Sequence, residues 1–267
     1  MRQPAVADRF YPGSPVLLRQ TIEELLGDEA SPVKENAIAV VSPHAGYIYS
    51  GRLAAKTLNS VEIPETVIIL GTNHHGTGSA IALSTESWNM PFGPVNIDVE
   101  VSDLLLAGSP HIVPDEAPHT DEHSLEVQVP FLQYLQPDLS IVPLVISRIS
   151  LSLCREIGEA LANAVKQSGK KILLLASTDM SHYEPRTSAE TKDRMALKCV
   201  EEMEPEMLYR TVIENKISMC GFIPVTVTLF AAGMLGATSA KLIGYTDSGY
   251  VSGDSNQVVG YAGLTIS

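Results

Sequence analysis

Four short stretches constrain the fold most: "AIAVVS" (37–42), "TVIILG" (66–71), "SIVPLVIS" (140–147) and "KKILLLAS" (170–177). Each is a run of apolar, often β-branched residues, too short for an ordinary helix and with no polar residue at every second place. A strand of that kind is covered on both faces, which is the condition of a parallel sheet between two layers of helices. The intervening segments have helical spacing. Residues 15–28 follow Ser14, an N-cap candidate, with Pro15 at the first helical position. Residues 52–60, 151–169, 188–215 and 224–237 also read as helices, Gly169 marking a C-terminus and Pro224 a first turn. The stretch 121–135 has helical spacing interrupted by Pro130. "AIALS" (80–84) and "VNIDV" (95–99), on either side of a Pro/Gly turn, and the two terminal runs at 241–249 and 258–266 add strands that can pair antiparallel. Strands alternating with helices, without a linker or internal repeat, predict a single α/β domain over residues 1–267, with a mainly parallel sheet and helices on both faces.

Charge narrows the partners. The 267 residues carry a formal net charge of −13, which argues against general affinity for nucleic acid or an anionic membrane surface, because both need clustered Lys and Arg. No apolar run is long enough to span a bilayer. The opening residues lack the apolar core of a signal peptide. Three cysteines, Cys154, Cys199 and Cys220, make no disulfide framework and fit a reducing compartment. The expectation is a cytoplasmic protein acting on an unknown small-molecule or protein ligand.

The chemistry-bearing residues follow the strands. Just beyond the first apolar run stands His44, beyond the second His74 and His75, and beyond the fourth Asp179 and His182. Ligands of parallel sheets bind outside the carboxyl ends of the strands, so these histidines are expected to converge on one crevice. Each alone reads equally well as a loop histidine satisfied by backbone; the repetition is what favours a site. Neighbouring side chains of an extended segment point to opposite sides, so His74 is expected to face the crevice and His75 to turn away and bond a loop. The segment "DEHSLEVQV" (121–129) adds His123 and Glu126, one helical turn apart. Here Thr120 or Asp121 as a helix cap is the plainer reading, and His123 as an acid/base or orienting partner, with Glu126 lining the pocket, is the functional one. Cys220 precedes a helix start, where a thiol can become acidic enough to be a nucleophile or a soft metal ligand. His111 and His119 receive no role. Neutral imidazoles suit divalent iron, copper or zinc.

These motifs, "PHAGYIYSG" (43–51), "GTNHHG" (71–76), "DEHSLEVQVPFL" (121–132), "STDMSHY" (177–183), "CGFIP" (220–224) and "GYAG" (260–263), resemble those of the Memo family, also called AmmeMemoRadiSam system protein B, in the same order and over nearly the whole chain. "AVADRFYP" (5–12) resembles the family's opening segment, with Phe10 at an aromatic position. The resemblance implies a fold like that of class III extradiol ring-cleaving dioxygenases and a non-haem metal pocket. Carried over by position, it makes His44, His74 and Cys220 the metal ligands, with Fe(II) first and copper or zinc as alternatives. Asp179 and His182 become a catalytic acid and imidazole pair, and Tyr49 a lining residue. The dioxygenases use a carboxylate where Cys220 stands here. A thiolate is softer and favours copper.

Three functions compete at this point. The first is a metal-dependent redox or oxygenase-like protein. The second is a non-catalytic module that uses the same pocket for an anionic or aromatic group. The third is a metal-free hydrolase built on Cys220 or Ser181 with His182 and Asp179, which ranks last because the chain has no G-x-S-x-G elbow.

Overall fold

A computed structural model describes residues 1–27 and 34–267. The four apolar runs form adjacent parallel strands at the centre of one sheet: β1 (Ala39–Ser42), β8 (Ile172–Ser177), β2 (Thr66–Thr72) and β7 (Ser140–Ile146), in that order. The register sets Ser42 opposite Ser177 and Leu70 opposite Ala176, so three strands end at about the same height. The flanks are mixed. On one side β11 (Val258–Ile266) runs antiparallel to β1 and carries β10 (Ala240–Asp247) and β9 (His182–Glu184). On the other, β3 (Ile81–Leu83) runs antiparallel to the end of β7 and pairs β6 (Val113–Pro114), while β5 (Gly93–Ile97) pairs the start of β7 and forms a hairpin with β4 (Trp88–Met90).

Alternate residues of the central strands feed two cores. Val41, Ile68, Leu70, Leu144 and Leu174 pack on one face with α3 (Val99–Gly108), α5 (Leu151–Ser168), α6 (Arg186–Glu201), α7 (Pro205–Glu214) and α8 (Phe222–Met234). Val40, Val67, Ile69, Val145 and Leu173 pack on the other with α1 (Pro15–Leu26), α2 (Arg52–Asn59) and α4 (Val129–Leu135). A short α9 (Gly249–Ser252) follows β10. Both faces are therefore dry, as continuous apolar strands require. The fold is α/β with a mixed sheet whose core is parallel and whose helices cover both faces.

Several local expectations change. Residues 188–215 are two helices, broken at Glu202–Glu204, where Met203 takes a left-handed φ of 57°. Between the two runs, Trp88–Met90 is itself a strand, and the Pro/Gly turn is confined to Pro91 and Phe92 before Gly93. The end of "VNIDV" belongs to a helix that was not anticipated, for which Asp98 is the N-cap, accepting from the Val101 amide. Most important for the site, residues 121–125 are not helical. A 3-10 turn spans Glu126–Gln128, and α4 starts at Val129 with Pro130 in its first turn, where the missing amide proton does no harm. Neither Thr120 nor Asp121 is the N-cap of a helix, Thr120 instead closing the short 3-10 turn Ala117–His119, and His123 and Glu126 share no helical face.

Candidate metal site

Three imidazoles meet beyond the carboxyl ends of β1 and β2. Those of His44 and His74 lie edge to face at 5.3 Å between centroids, His44 and His123 likewise at 5.4 Å, and His74 and His123 stack at 4.5 Å. One ring nitrogen from each lies within 4.8 Å of the others. The close approach of the 121–125 segment to β2 depends on Gly71. A Cβ there would fall 2.3 Å from Leu125 Cδ1 and 2.5 Å from Ser124 Oγ, so only glycine leaves room for the segment that carries His123.

The hydrogen bonds orient two of the rings. Ser177 Oγ donates to the Ser124 carbonyl (2.6 Å) and accepts from Gln128 Nε2 (2.9 Å). Its single proton is thus committed, and His44 Nδ1, 3.0 Å away, must be the donor, which leaves the His44 Nε2 lone pair facing the cluster. His74 Nδ1 lies 2.8 Å from Glu122 Oε1, and the His74 amide donates to Oε2 at 2.8 Å. Glu122 is buried. Burial alone would raise its carboxyl, but the hydrogen bonds from the His74 ring and from the His74 and Ser124 amides outweigh it and hold the group down at about 2. Glu122 was missed by the sequence reading, although it stands beside His123 in "DEHS". His123 Nδ1 is 3.6 Å from the same carboxylate, too far for a hydrogen bond, so its ring is the least constrained of the three.

Burial and the neighbouring imidazoles push His44 down to about 3 and His123 to about 4. Both are neutral near pH 7. Three converging imidazoles, two of them with Nδ1 hydrogen-bonded inward, are the donor arrangement a divalent transition metal takes. The residues fit such an ion.

Cys220 stands beside this cluster. Its Sγ is 3.3 Å from His44 Nε2 and accepts from the Asp179 amide at 3.2 Å. Gly221 lets the turn press against β8, since a Cβ there would meet the Ser177 carbonyl at 2.5 Å. The acidic thiol that a helix start permits is not found. Desolvation, reinforced by the charge of Asp179, pushes Cys220 up to about 12 despite its place before α8. Asp179 is buried and its Oδ1 accepts the His44 amide at 2.8 Å; burial raises its carboxyl above the usual range. His182 is held by Ser218, whose carbonyl accepts from Nδ1 (2.9 Å) and whose hydroxyl accepts from the His182 amide (2.8 Å). Its Nε2 is thereby left for a ligand. No hydrogen bond joins Asp179 to His182 among the described residues. Ser181 Oγ is buried with no partner. Among the described residues neither Cys220 Sγ nor Ser181 Oγ is hydrogen-bonded to His182, so the hydrolase arrangement does not form.

The lining residues divide. The Phe10 ring lies 4.9 Å from His123. Tyr49 is 42% exposed in a π-helical turn, Tyr47–Gly51, whereas Tyr47 is buried and donates to the Val127 carbonyl. Two residues apart on a helical turn, the two side chains point to different sides. Glu126 does not line the pocket. It is buried and accepts from the Ala5 and Val6 amides and the Tyr11 hydroxyl at 2.8, 3.0 and 2.6 Å, and pairs with Arg2 at 2.7 Å. It anchors the opening segment that carries Phe10. His75 is exposed and donates from Nε2 to the Asp121 carbonyl at 3.0 Å, away from the cluster.

Comparison with known proteins gives a consistent family. The Memo-like protein family matches residues 2–265. MEMO1 family proteins of Methanococcoides burtonii and Methanosarcina barkeri are 42% and 38% identical over the full length of both chains, and one of Aquifex aeolicus is 40% identical over 99% of this chain and 98% of its own. The crystal structure of an uncharacterized protein from Escherichia coli K12 superposes with a TM-score of 0.59 at 17% identity, covering 86% of this chain and 99% of that one. That likeness is one of fold.

Proposed function

The chain belongs to the Memo family, and we propose that its histidine cluster holds a non-haem metal for redox or oxygenase-like chemistry on an organic substrate. The observation that carries this reading is the convergence of three imidazole nitrogens within 4.8 Å, two of them from rings whose Nδ1 is hydrogen-bonded by protein. His44 and His74 are the constant donors. The third is His123 by proximity or Cys220 by family motif. Iron(II) is the first candidate, copper or zinc the alternatives. When bound, such an ion supplies open coordination positions for substrate or dioxygen. The chain's own residues do the rest. Asp179 and His182 handle protons at the inner edge, His182 through its free Nε2, and Phe10 and Tyr49 shape the approach.

The test is metal content after anaerobic purification. Wild type is expected to retain about one ion per chain, and His44→Ala and His74→Ala to lose it. Equal content in all three would sink the proposal. His123→Ala and Cys220→Ala, measured alongside, identify the third donor.

A further inference from the structure

Glu122 touches the cluster without belonging to it. It is 1% exposed, and its carboxylate takes three N–H groups: the His74 amide on Oε2, and His74 Nδ1 and the Ser124 amide on Oε1, at 2.8, 2.8 and 2.9 Å. A carboxylate offers only acceptors. Two of its three partners are backbone amides, which cannot give up their protons. The third is an imidazole that can carry its proton on either nitrogen. Opposite Glu122 it must carry it on Nδ1, and the Nε2 lone pair then faces His44 and His123.

We infer that Glu122 is a positioning residue that fixes His74 in the Nδ1–H tautomer and so makes it a nitrogen donor toward the cluster. The consequence for metal rests on the function proposed above; the tautomer does not. The backbone arrangement supports a dedicated role. The same carboxylate that fixes the ring also pins the His74 amide, so the position of the residue and the protonation of its ring are set by one group. Gly71 is what lets the Glu122 segment come this close.

Glu122→Gln separates this role from mere packing. The side chain keeps its shape, but one oxygen becomes an NH2. With the amide oxygen opposite Nδ1 and the Ser124 amide, the NH2 confronts the His74 amide, donor against donor. With the amide reversed, the oxygen satisfies the His74 amide and the NH2 faces Nδ1, which accepts only if the ring proton moves to Nε2. The two arrangements each satisfy the same number of pairs, so the exclusive preference for Nδ1–H disappears.

The experiment is long-range 1H–15N NMR of histidine-labelled full-length protein, stripped of metal, with the His74 signals assigned by their loss in His74→Gln. Wild type is expected to show His74 as Nδ1–H only, and Glu122→Gln to populate the Nε2–H form. Titration with Co(II), followed by its visible ligand-field bands, is expected to show an affinity at least about 10-fold weaker in Glu122→Gln, the size of effect typical of losing an orienting partner. An Nε2–H tautomer in the wild type overturns the inference even if the variant fails to fold. So does a folded variant with an unchanged tautomer. If neither protein binds Co(II) while the tautomer shifts as expected, the metal proposal falls and the role of Glu122 stands.

Discussion

Stability of the metal-free chain is expected to fall steeply between about pH 7.5 and pH 5.5, and histidine burial sets the amount. In the unfolded chain a histidine titrates near 6.5. In the folded chain burial, above all, pushes His44 down to about 3 and His119 and His123 to about 4. The folded state therefore binds fewer protons in this window than the unfolded state. The stabilisation is fully present above 6.5 and is lost as pH falls toward the folded values. For each histidine the loss is RT ln[(1 + 10)/(1 + 0.1)], about 1.4 kcal/mol. It depends on the unfolded value alone so long as the folded one lies below about 5. Three histidines give about 4 kcal/mol. Glu122, held at about 2, costs stability only below the ordinary carboxyl range. Asp179 and Asp193, both raised by burial, act in the opposite sense as pH drops past their folded values and trim the loss. Urea unfolding in the presence of chelator is the assay. At a slope of about 3 kcal/mol per M the midpoint is expected to move down by about 1.3 M. His119→Gln, in a ring that donates to the Ala82 carbonyl rather than facing the cluster, is expected to remove about one third of the dependence. A midpoint that stays level from pH 7.5 to 5.5 would refute the reasoning.

His75→Ala is expected to leave metal content unchanged and to cost no more than about 1 kcal/mol, because it loses one exposed hydrogen bond to Asp121; losses matching those of His74→Ala would contradict the division between the two. Gly71→Ala is expected to destabilise by about 1–3 kcal/mol through overpacking against Leu125, and to lower metal affinity by moving Glu122 and His123 outward; calorimetry and metal titration on one preparation check both, and a wild-type affinity would show that the 121–125 segment can shift without cost.

The central strands were legible because burial on both faces leaves an unbroken apolar run that no other common element produces at that length. Convergence of His44, His74 and Asp179 followed from the rule for parallel strand ends. The 121–135 segment misled for a physical reason. Its apolar spacing is helical, but the backbone of residues 121–125 is spent on Glu122, which takes the Ser124 amide with its own side chain and competes with a helical turn. No periodicity reports such a bond. Glu122 itself looked like one more acid beside Asp121, and only the three donors around it distinguish the two. Glu126 was drawn toward the pocket by the same helical assumption, whereas its partners lie more than a hundred residues away in sequence. The place of Cys220 before a helix permits an acidic thiol. Desolvation beside the charge of Asp179 is the larger effect, and neither can be read from a linear motif.

The same geometry explains why the site suits a cation. Three imidazoles whose nitrogens approach within 4.8 Å cannot all be protonated, and burial keeps two of them neutral. An acid with a raised affinity for protons and a thiol held in its neutral form stand against the same cluster. At pH 7 the lowered histidines and the raised thiol are neutral in both the folded and the unfolded chain, so of these groups only the raised Asp179 costs folding free energy there. A cation placed among the lone pairs keeps the imidazoles neutral and reverses the balance at the other two groups, favouring ionised Asp179 and thiolate. Metal binding is therefore expected to draw protons off this cluster. Its stabilisation of the fold grows as RT ln(1 + [L]/Kd), so at pH 7 a saturating ion adds to the stability of the metal-free fold and relieves the cost of ionising buried Asp179.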